Sequence, residues 1–209
     1  VVVTGDSFRF IVTEQLAQIE LAAQGILIEP EGRNTAPAIL AAAMWVAKSD
    51  PQALMLVAPS DHVIPDTDAF AQTVQAAVPR AQAGDLVTFG ITPTRAETGY
   101  GYLELAADAD AGAKTPQTLA RFVEKPDASR AADMLIAGNF LWNAGIFLFT
   151  AQAIIAAYQT HVPNLIDAVT AALGGANSDL GFTRLDAAAW EKADDISVDY
   201  AIMEKADNL

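Results

Sequence analysis

Apolar residues fall along this chain in short dense runs, separated by longer stretches with helical spacing. Val1 to Thr4 is a β-branched run, and Gly5-Asp6-Ser7 then supplies turn and N-cap chemistry. Phe8, Ile11, Val12, Leu16, Ile19 and Ala23 share one helical face, which predicts a helix ended by Gly25. Ile26-Leu27-Ile28 reads as a second strand, closing at Glu29-Pro30. The polar loop Glu31-Gly32-Arg33-Asn34 leads to Thr35 as the predicted cap of an Ala-rich helix, Ala36 to Lys48, with Pro37 tolerated in its first turn. Ala53 to Ala58 is a third strand broken by Pro59, Asp66 to Ala83 a helix carrying Pro79, and Leu86 to Ile91 a fourth strand.

Nearly continuous apolar strands alternating with helices predict the α/β class. The expected architecture is a Rossmann-like open, mostly parallel sheet with helices on both faces. Past Ile91 the rhythm is irregular. Tyr102 to Leu105, Leu119 to Val123 and Ala144 to Phe149 are strand-like, whereas Asp127 to Ala137, Ala151 to Tyr158 and Asn164 to Leu173 are helical. The pattern over Asp186 to Lys205 is weak. No repeat or linker divides the chain, so residues 1–209 read as one domain with an irregular second half. It opens inside a strand-like run without an initiator Met, which reads as a trimmed front.

Composition narrows the chemistry. Of 209 residues, 52% are hydrophobic and 18% charged, which excludes a disordered chain. The absence of Cys excludes disulfides, Cys-ligated zinc, iron–sulfur clusters and thiol catalysis, and it fits a reducing, cytoplasmic setting. A net charge of −14 disfavours nucleic acid and anionic membranes as partners. No apolar run approaches the ~18 residues of a membrane span, and no signal peptide is visible. A small anionic ligand stays open, because a local cation, a metal or backbone N–H groups override the global field.

Ligands of open parallel sheets bind outside the carboxyl ends of the strands. That rule selects the loops 29–35, 59–63, 92–101 and 124–126. Asp61, in Pro59-Ser60-Asp61-His62, is placed either to hold Mg²⁺ beside substrate phosphates or to cap the next helix. His62 reads as a packed or hydrogen-bonded neighbour. In Glu124-Lys125-Pro126 the ammonium is a point charge for phosphate and the carboxylate an acceptor for sugar hydroxyls, unless the two form a plain solvated pair. Thr98-Gly99-Tyr100-Gly101 is either a tight turn or a backbone that approaches a ligand too closely for a Cβ. Asn143, just before the strand Ile146 to Phe149, can donate and accept at a hydroxyl pair. Arg33-Asn34-Thr35 opens a helix, whose free N–H groups favour anions or base edges, or are simply capped. Neither a Ser/His/Asp set nor a zincin-type cluster is evident. A sugar 1-phosphate needs neither, because it is an ionised nucleophile already.

Five stretches together resemble the bacterial mannose-1-phosphate guanylyltransferases. They are Glu29-Pro30-Glu31-Gly32-Arg33-Asn34-Thr35-Ala36-Pro37-Ala38, Pro59-Ser60-Asp61-His62, Phe122-Val123-Glu124-Lys125-Pro126, Leu141-Trp142-Asn143-Ala144-Gly145-Ile146-Phe147 and Asp199-Tyr200-Ala201-Ile202-Met203-Glu204-Lys205. The resemblance implies a GT-A-like nucleotide-diphospho-sugar transferase fold and synthesis of GDP-mannose and pyrophosphate from GTP and α-D-mannose 1-phosphate with Mg²⁺. It implies Asp61 as a metal-binding acid and Lys125 as the contact to the sugar phosphate. Glu124, Asn143 and the Gly101 backbone would meet the mannose, and Arg33, Asn34 and Thr35 would lie near the guanine. The family's Gly-rich phosphate loop and its W-S-D-V-G segment are expected outside residues 1–209, which alone would turn over poorly. Competing readings are a transferase for another sugar or base, a non-catalytic regulatory paralogue and a GT-A glycosyltransferase. Oligomeric state is open, a homodimer included.

Overall fold

The chain alternates strands and helices through its first half, and the computed structural model describes residues 1–110 and 112–209. The order begins β1 (Val2–Gly5), a 3-10 turn (Asp6–Phe8), α1 (Arg9–Gln18), β2 (Ile26–Glu29), α2 (Thr35–Ala47), β3 (Leu54–Val57), α3 (Thr67–Gln82) and β4 (Val87–Ile91). It continues with β5 (Tyr102–Leu105), β6 (Leu119–Val123), α4 (Ala128–Ala137), β7 (Phe140–Thr150), α5 (Ala151–His161) and α6 (Pro163–Gly174). A hairpin of β8 (Asn177–Asp179) and β9 (Phe182–Arg184), the short α7 (Ala187–Trp190) and a π-type turn over Asp199–Met203 complete it.

The α/β class holds, but the strands form two sheets. One has the order β1-β2-β9-β8, in which β1 and β9 both run parallel to β2. The other is organised by β7, which runs antiparallel to β3, β4 and β5, with β6 antiparallel to β5. Strands β3, β4 and β5 therefore share one direction, as a parallel reading expects, but β7 is interposed between them. Helical spacing in the sequence cannot reveal such an insertion, because adjacency in a sheet is decided by tertiary packing.

Residues 146–150 of β7 are buried on both faces, which explains their unbroken apolar run. Phe147 and Phe149 enter the main core with α2, α5 and α6, while Leu148 packs with Ala77 and Ala81 of α3. A smaller cluster seats Ala131 and Met134 of α4 against Tyr102, Val123, Phe140 and Trp142. Buried Tyr158 donates its hydroxyl proton to the Ala36 carbonyl at 2.9 Å, tying α5 to the start of α2.

Two expectations are corrected. The helix after Gly5 forms but ends at Gln18, well short of Gly25, and its apolar face is only partly covered: Phe8, Ile11 and Ile19 are exposed, whereas Val12 and Leu16 are half-buried. The strand expected over Ala144 to Phe149 begins at Phe140, so Asn143 lies inside it rather than before it. The hairpin of β8 and β9 was not anticipated. Its signal is Leu180-Gly181, both at positive φ (51° and 86°), a two-residue turn that suits antiparallel strands. The accessible surface is 11,243 Å², above the about 9,000 Å² that size scaling gives for a globule of this mass. Exposed apolar side chains on α1 and on β3, where Leu54 and Leu56 face solvent, contribute to the excess.

Candidate functional site

A fork along β7 creates the site. On one edge of β7, strand β5 pairs as far as Trp142 opposite Tyr102, and β3 begins pairing at Phe147 opposite Val57. Residues 143–146 lie between them. The loop carrying Asp61 leaves from the β3 side, and Gly101 and Glu124 close the β5 side. On the other edge, Gly90 of β4 pairs with Asn143.

Glu124, Lys125, Asn143 and Gly101 are brought together here as expected. The Asn143 amide donates to the Gly101 carbonyl at 2.8 Å. A Cβ on Gly101 would sit 2.6 Å from Glu124 Oε2 and 2.9 Å from Phe122 Cζ. The glycine is thus required by the protein's own carboxylate, which already fills the space that the sequence reading left for a ligand. Its loop is held by Glu97, whose carboxylate accepts from the N–H groups of Thr98 (3.0 Å) and Gly99 (3.1 Å). The Gly99 hydrogen bond is the leading cause that holds the Glu97 pKa below its ordinary value, followed by Arg95.

Glu124 directly follows β6 with its side chain 7% exposed, and Lys125 Nζ reaches it at 2.9 Å while remaining 53% exposed. That hydrogen bond is the main reason the ammonium pKa is raised. Lys125 adopts φ +44°, an uncommon conformation for a non-glycine residue. Pro126 follows at once and turns the chain towards α4. The outcome is a cation anchored at one end and free towards solvent at the other.

Asn143 is locked. Its Oδ1 accepts from Thr88 Oγ1 (2.8 Å) and from the Gly145 amide (3.1 Å), and its Nδ2 donates to Asp199 Oδ1 at 2.9 Å. Only one amide hydrogen is left for a ligand. Asp199 is a site residue that sequence reasoning missed, although it opens one of the five matching stretches. Burial, and then the neighbouring charge of Glu124, push its carboxyl up to about 6, against opposing pulls that include the Asn143 hydrogen bond and Lys125. Thr88 and Glu204 were missed as well, and Glu204 Oε1 accepts the Glu124 amide at 2.9 Å. Contacts spanning 56 or 80 residues leave no local signal in a sequence.

The remaining predicted residues take no part in these hydrogen bonds. Asp61 lies on an exposed turn and takes part in no hydrogen bond or ion pair among the described residues. It does not cap the next helix, because Asp66 does so, accepting from the Ala69 amide at 2.9 Å. His62 is exposed rather than packed. The loop before α2 is engaged internally. Arg33 donates to the Ala193 carbonyl (3.1 Å) and pairs with Glu31. Asn34, not Thr35, is the cap, at φ +63°. Thr35 Oγ1 accepts from the Val198 amide at 2.9 Å, and the Ala36 amide donates to the Ile196 carbonyl at 3.1 Å. With the Thr35 amide bonded to Asn34 and no N–H on Pro37, the first turn offers few free donors to an anion. Segment 196–199 thereby joins this loop to the Asn143 cluster.

No group of three or more His, Asp or Glu side chains arranged for a metal is found among the described residues. Among the same residues, no helix is long and apolar enough to cross a membrane. A cavity of about 590 Å³ lies between the end of α3, α5 and residues 207–208 and contains none of the site residues.

The α/β fold thus gathers fixed polar partners beside an anchored cation at the fork along β7. Residues 1–196 match the family model for nucleotidyl transferases, and the chain belongs to that family. Xanthan biosynthesis protein XanB of Xanthomonas campestris pv. campestris (strain B100) is 44% identical over 205 residues, 98% of this chain and 43% of that relative. Mannose-1-phosphate guanylyltransferase of Escherichia coli (strain K12) is 43% identical over 209 residues, 98% of this chain and 44% of that relative. A crystal structure described as mannose-6-phosphate isomerase from Helicobacter pylori superposes with a TM-score of 0.88 at 28% identity, covering 99% of this chain and 79% of that chain. The chain thus spans less than half the length of these curated relatives.

Proposed function

We propose that the protein containing this chain transfers GMP from GTP to α-D-mannose 1-phosphate, giving GDP-mannose and pyrophosphate, with residues 1–209 acting as one nucleotidyltransferase unit. The observation that carries the reading is the Glu124–Lys125–Asn143–Asp199 cluster, in which a half-exposed ammonium stands beside three fixed hydroxyl partners. Similarity to relatives named for this reaction supports the choice of substrates.

Lys125 binds the sugar phosphate and offsets its charge. Glu124 and Asp199 accept from mannose hydroxyls and Asn143 donates its remaining N–H, while the missing Cβ of Gly101 leaves the room that the Glu124 carboxylate occupies. A mannose 1-phosphate oxygen attacks the α-phosphorus of GTP in line; the new P–O bond forms as the bond to pyrophosphate breaks. Neither a covalent enzyme intermediate nor a general base is required, because the nucleophile is already ionised. Loop 33–35 flanks the nucleotide by shape more than by donated N–H groups.

Asp61 suits Mg²⁺, which commonly uses one or two protein carboxylates together with substrate phosphates, and its oxygens are uncommitted. Bound there, the ion would neutralise charge between two anions that must meet. The reading places the enzyme in the cytoplasm, and a homodimer is compatible with it.

Pyrophosphate release from the full-length protein with mannose 1-phosphate, Mg²⁺ and a panel of GTP, UTP, dTTP and ATP tests the reading. Turnover with GTP is expected. Silence with GTP alongside turnover with another nucleotide would refute the guanine assignment.

A further inference from the structure

The π-type turn over Asp199–Met203 meets the site from one end to the other. At its start, Asp199 Oδ1 accepts from the Asn143 side chain on β7 at 2.9 Å. Next along it, the Tyr200 ring centroid lies 6.0 Å from Lys125 Nζ. At its far end, Glu204 Oε1 accepts from the Glu124 amide at 2.9 Å, just past β6. Between these contacts Ala201, Ile202 and Met203 are buried in the main core, which fixes the turn in place. The Glu204 amide bonds back to the Asp199 carbonyl at 2.9 Å, so the two acids stand at opposite ends of one closed turn. Turns of this kind are rare and concentrate at functional sites.

The Glu204 contact falls where the sheet stops giving support. The β5–β6 pairing runs up to Tyr102 opposite Val123. The next amide, that of Glu124, is taken by a carboxylate from a distant part of the chain rather than by a strand. Lys125 follows at φ +44°, and Pro126 restricts it from the other side. Such a backbone is costly for a residue with a Cβ and persists only where its surroundings over-determine it. An amide donating to a carboxylate makes a charge-assisted hydrogen bond, stronger than a neutral one. Glu204 is exposed, so water can replace it as an acceptor, but a water molecule does not fix the direction of the amide. The contact therefore bears on position more than on stability.

We infer that Glu204 is a positioning residue for the sugar phosphate: acting through the Glu124 amide, it holds the Lys125 backbone in the conformation that aims the ammonium at the phosphate of mannose 1-phosphate. It touches no substrate itself. The inference rests on the proposed transfer to mannose 1-phosphate and adds to it the group that sets the aim of the cation.

Initial rates of pyrophosphate release test it, with mannose 1-phosphate and GTP varied in turn. The full-length proteins compared are wild type, Glu204→Ala, Glu204→Gln, Lys125→Ala and the double variant Lys125→Ala/Glu204→Ala. Glu204→Ala should raise KM for mannose 1-phosphate by about tenfold, the lower end for a hydrogen bond to a charged group, and leave KM for GTP within about twofold. Glu204→Gln keeps an acceptor oxygen and should bring KM back to within about threefold of wild type. Without the Lys125 ammonium there is nothing to aim, so Glu204→Ala should cost the Lys125→Ala protein no more than about threefold further. Glu204→Ala should melt close to wild type, as expected for an exposed side chain. An unchanged KM for the sugar phosphate, an equal rise in both KM values, or the full loss persisting without Lys125 would overturn the inference. Glu204→Gln as damaging as Glu204→Ala would overturn it too, by showing that the charge itself meets the substrate. In each of these cases the proposed reaction stands. If wild type releases no pyrophosphate from these substrates, the reaction and the inference fall together.

Discussion

Replacing Gly101 with alanine tests whether the site is assembled by mutual exclusion between one backbone position and one carboxylate. The new Cβ would stand 2.6 Å from Glu124 Oε2, so the carboxylate must retreat until the contact reaches the ordinary range that begins at 3.4 Å. It has little room to do so, because its side chain is 7% exposed and fastened to Lys125. The second neighbour, Phe122 Cζ at 2.9 Å, belongs to a core ring. Overpacking of this kind costs about 1–3 kcal/mol. For a domain of this size that lowers the melting temperature by about 2–12 °C. Function should suffer more than stability. A shift of nearly an ångström in Glu124 moves Lys125 with it, and misplacement on that scale costs on the order of a hundredfold in rate. Pyrophosphate release by the full-length protein at subsaturating mannose 1-phosphate, alongside thermal denaturation, measures both effects. Unchanged melting together with unchanged kcat/KM would show that the space beside Gly101 is free and that Glu124 is not where the argument needs it.

Further predictions concern the same cluster. Lys125→Ala should reduce kcat/KM for mannose 1-phosphate by about 2–4 kcal/mol, as expected for a lost charged contact, and an unchanged value would return Lys125 to the solvated surface. Thr88→Val removes the hydroxyl that donates to Asn143 Oδ1 at 2.8 Å; about a tenfold loss in kcat/KM is expected, chiefly in KM for the sugar phosphate, and equal activity would mean that Asn143 holds its place without Thr88. Asp199 has a folded pKa of about 6 against an ordinary 3.8. The unfolded chain therefore loses this proton first, and stability falls as pH rises through that window and stays lowered above it. Asp199→Asn should consequently raise stability at pH 7.5 by on the order of 2 kcal/mol, with the gain vanishing near pH 4, while kcat/KM falls. A gain independent of pH would contradict the burial of a charged carboxylate.

What could be read along the chain was whatever depends on neighbours in sequence. Strand runs, helix spacing, the Asp66 and Asp127 regions as helix starts, and the polar loops after apolar strands are all local consequences of backbone and side-chain chemistry. The pairing of Glu124 with Lys125 was visible because the two are adjacent. Gly101 was visible because only a glycine suits a crowded turn, although what crowds it was not. Tertiary structure alone decided the rest. It interposed β7 between strands that share a direction and split the strands into two sheets. It also left the apolar face of α1 only partly covered. Asp199 reached Asn143 and Glu204 reached Glu124 across dozens of residues. Each of these depends on which surfaces exclude water together, a property of the packed whole that no window of sequence contains.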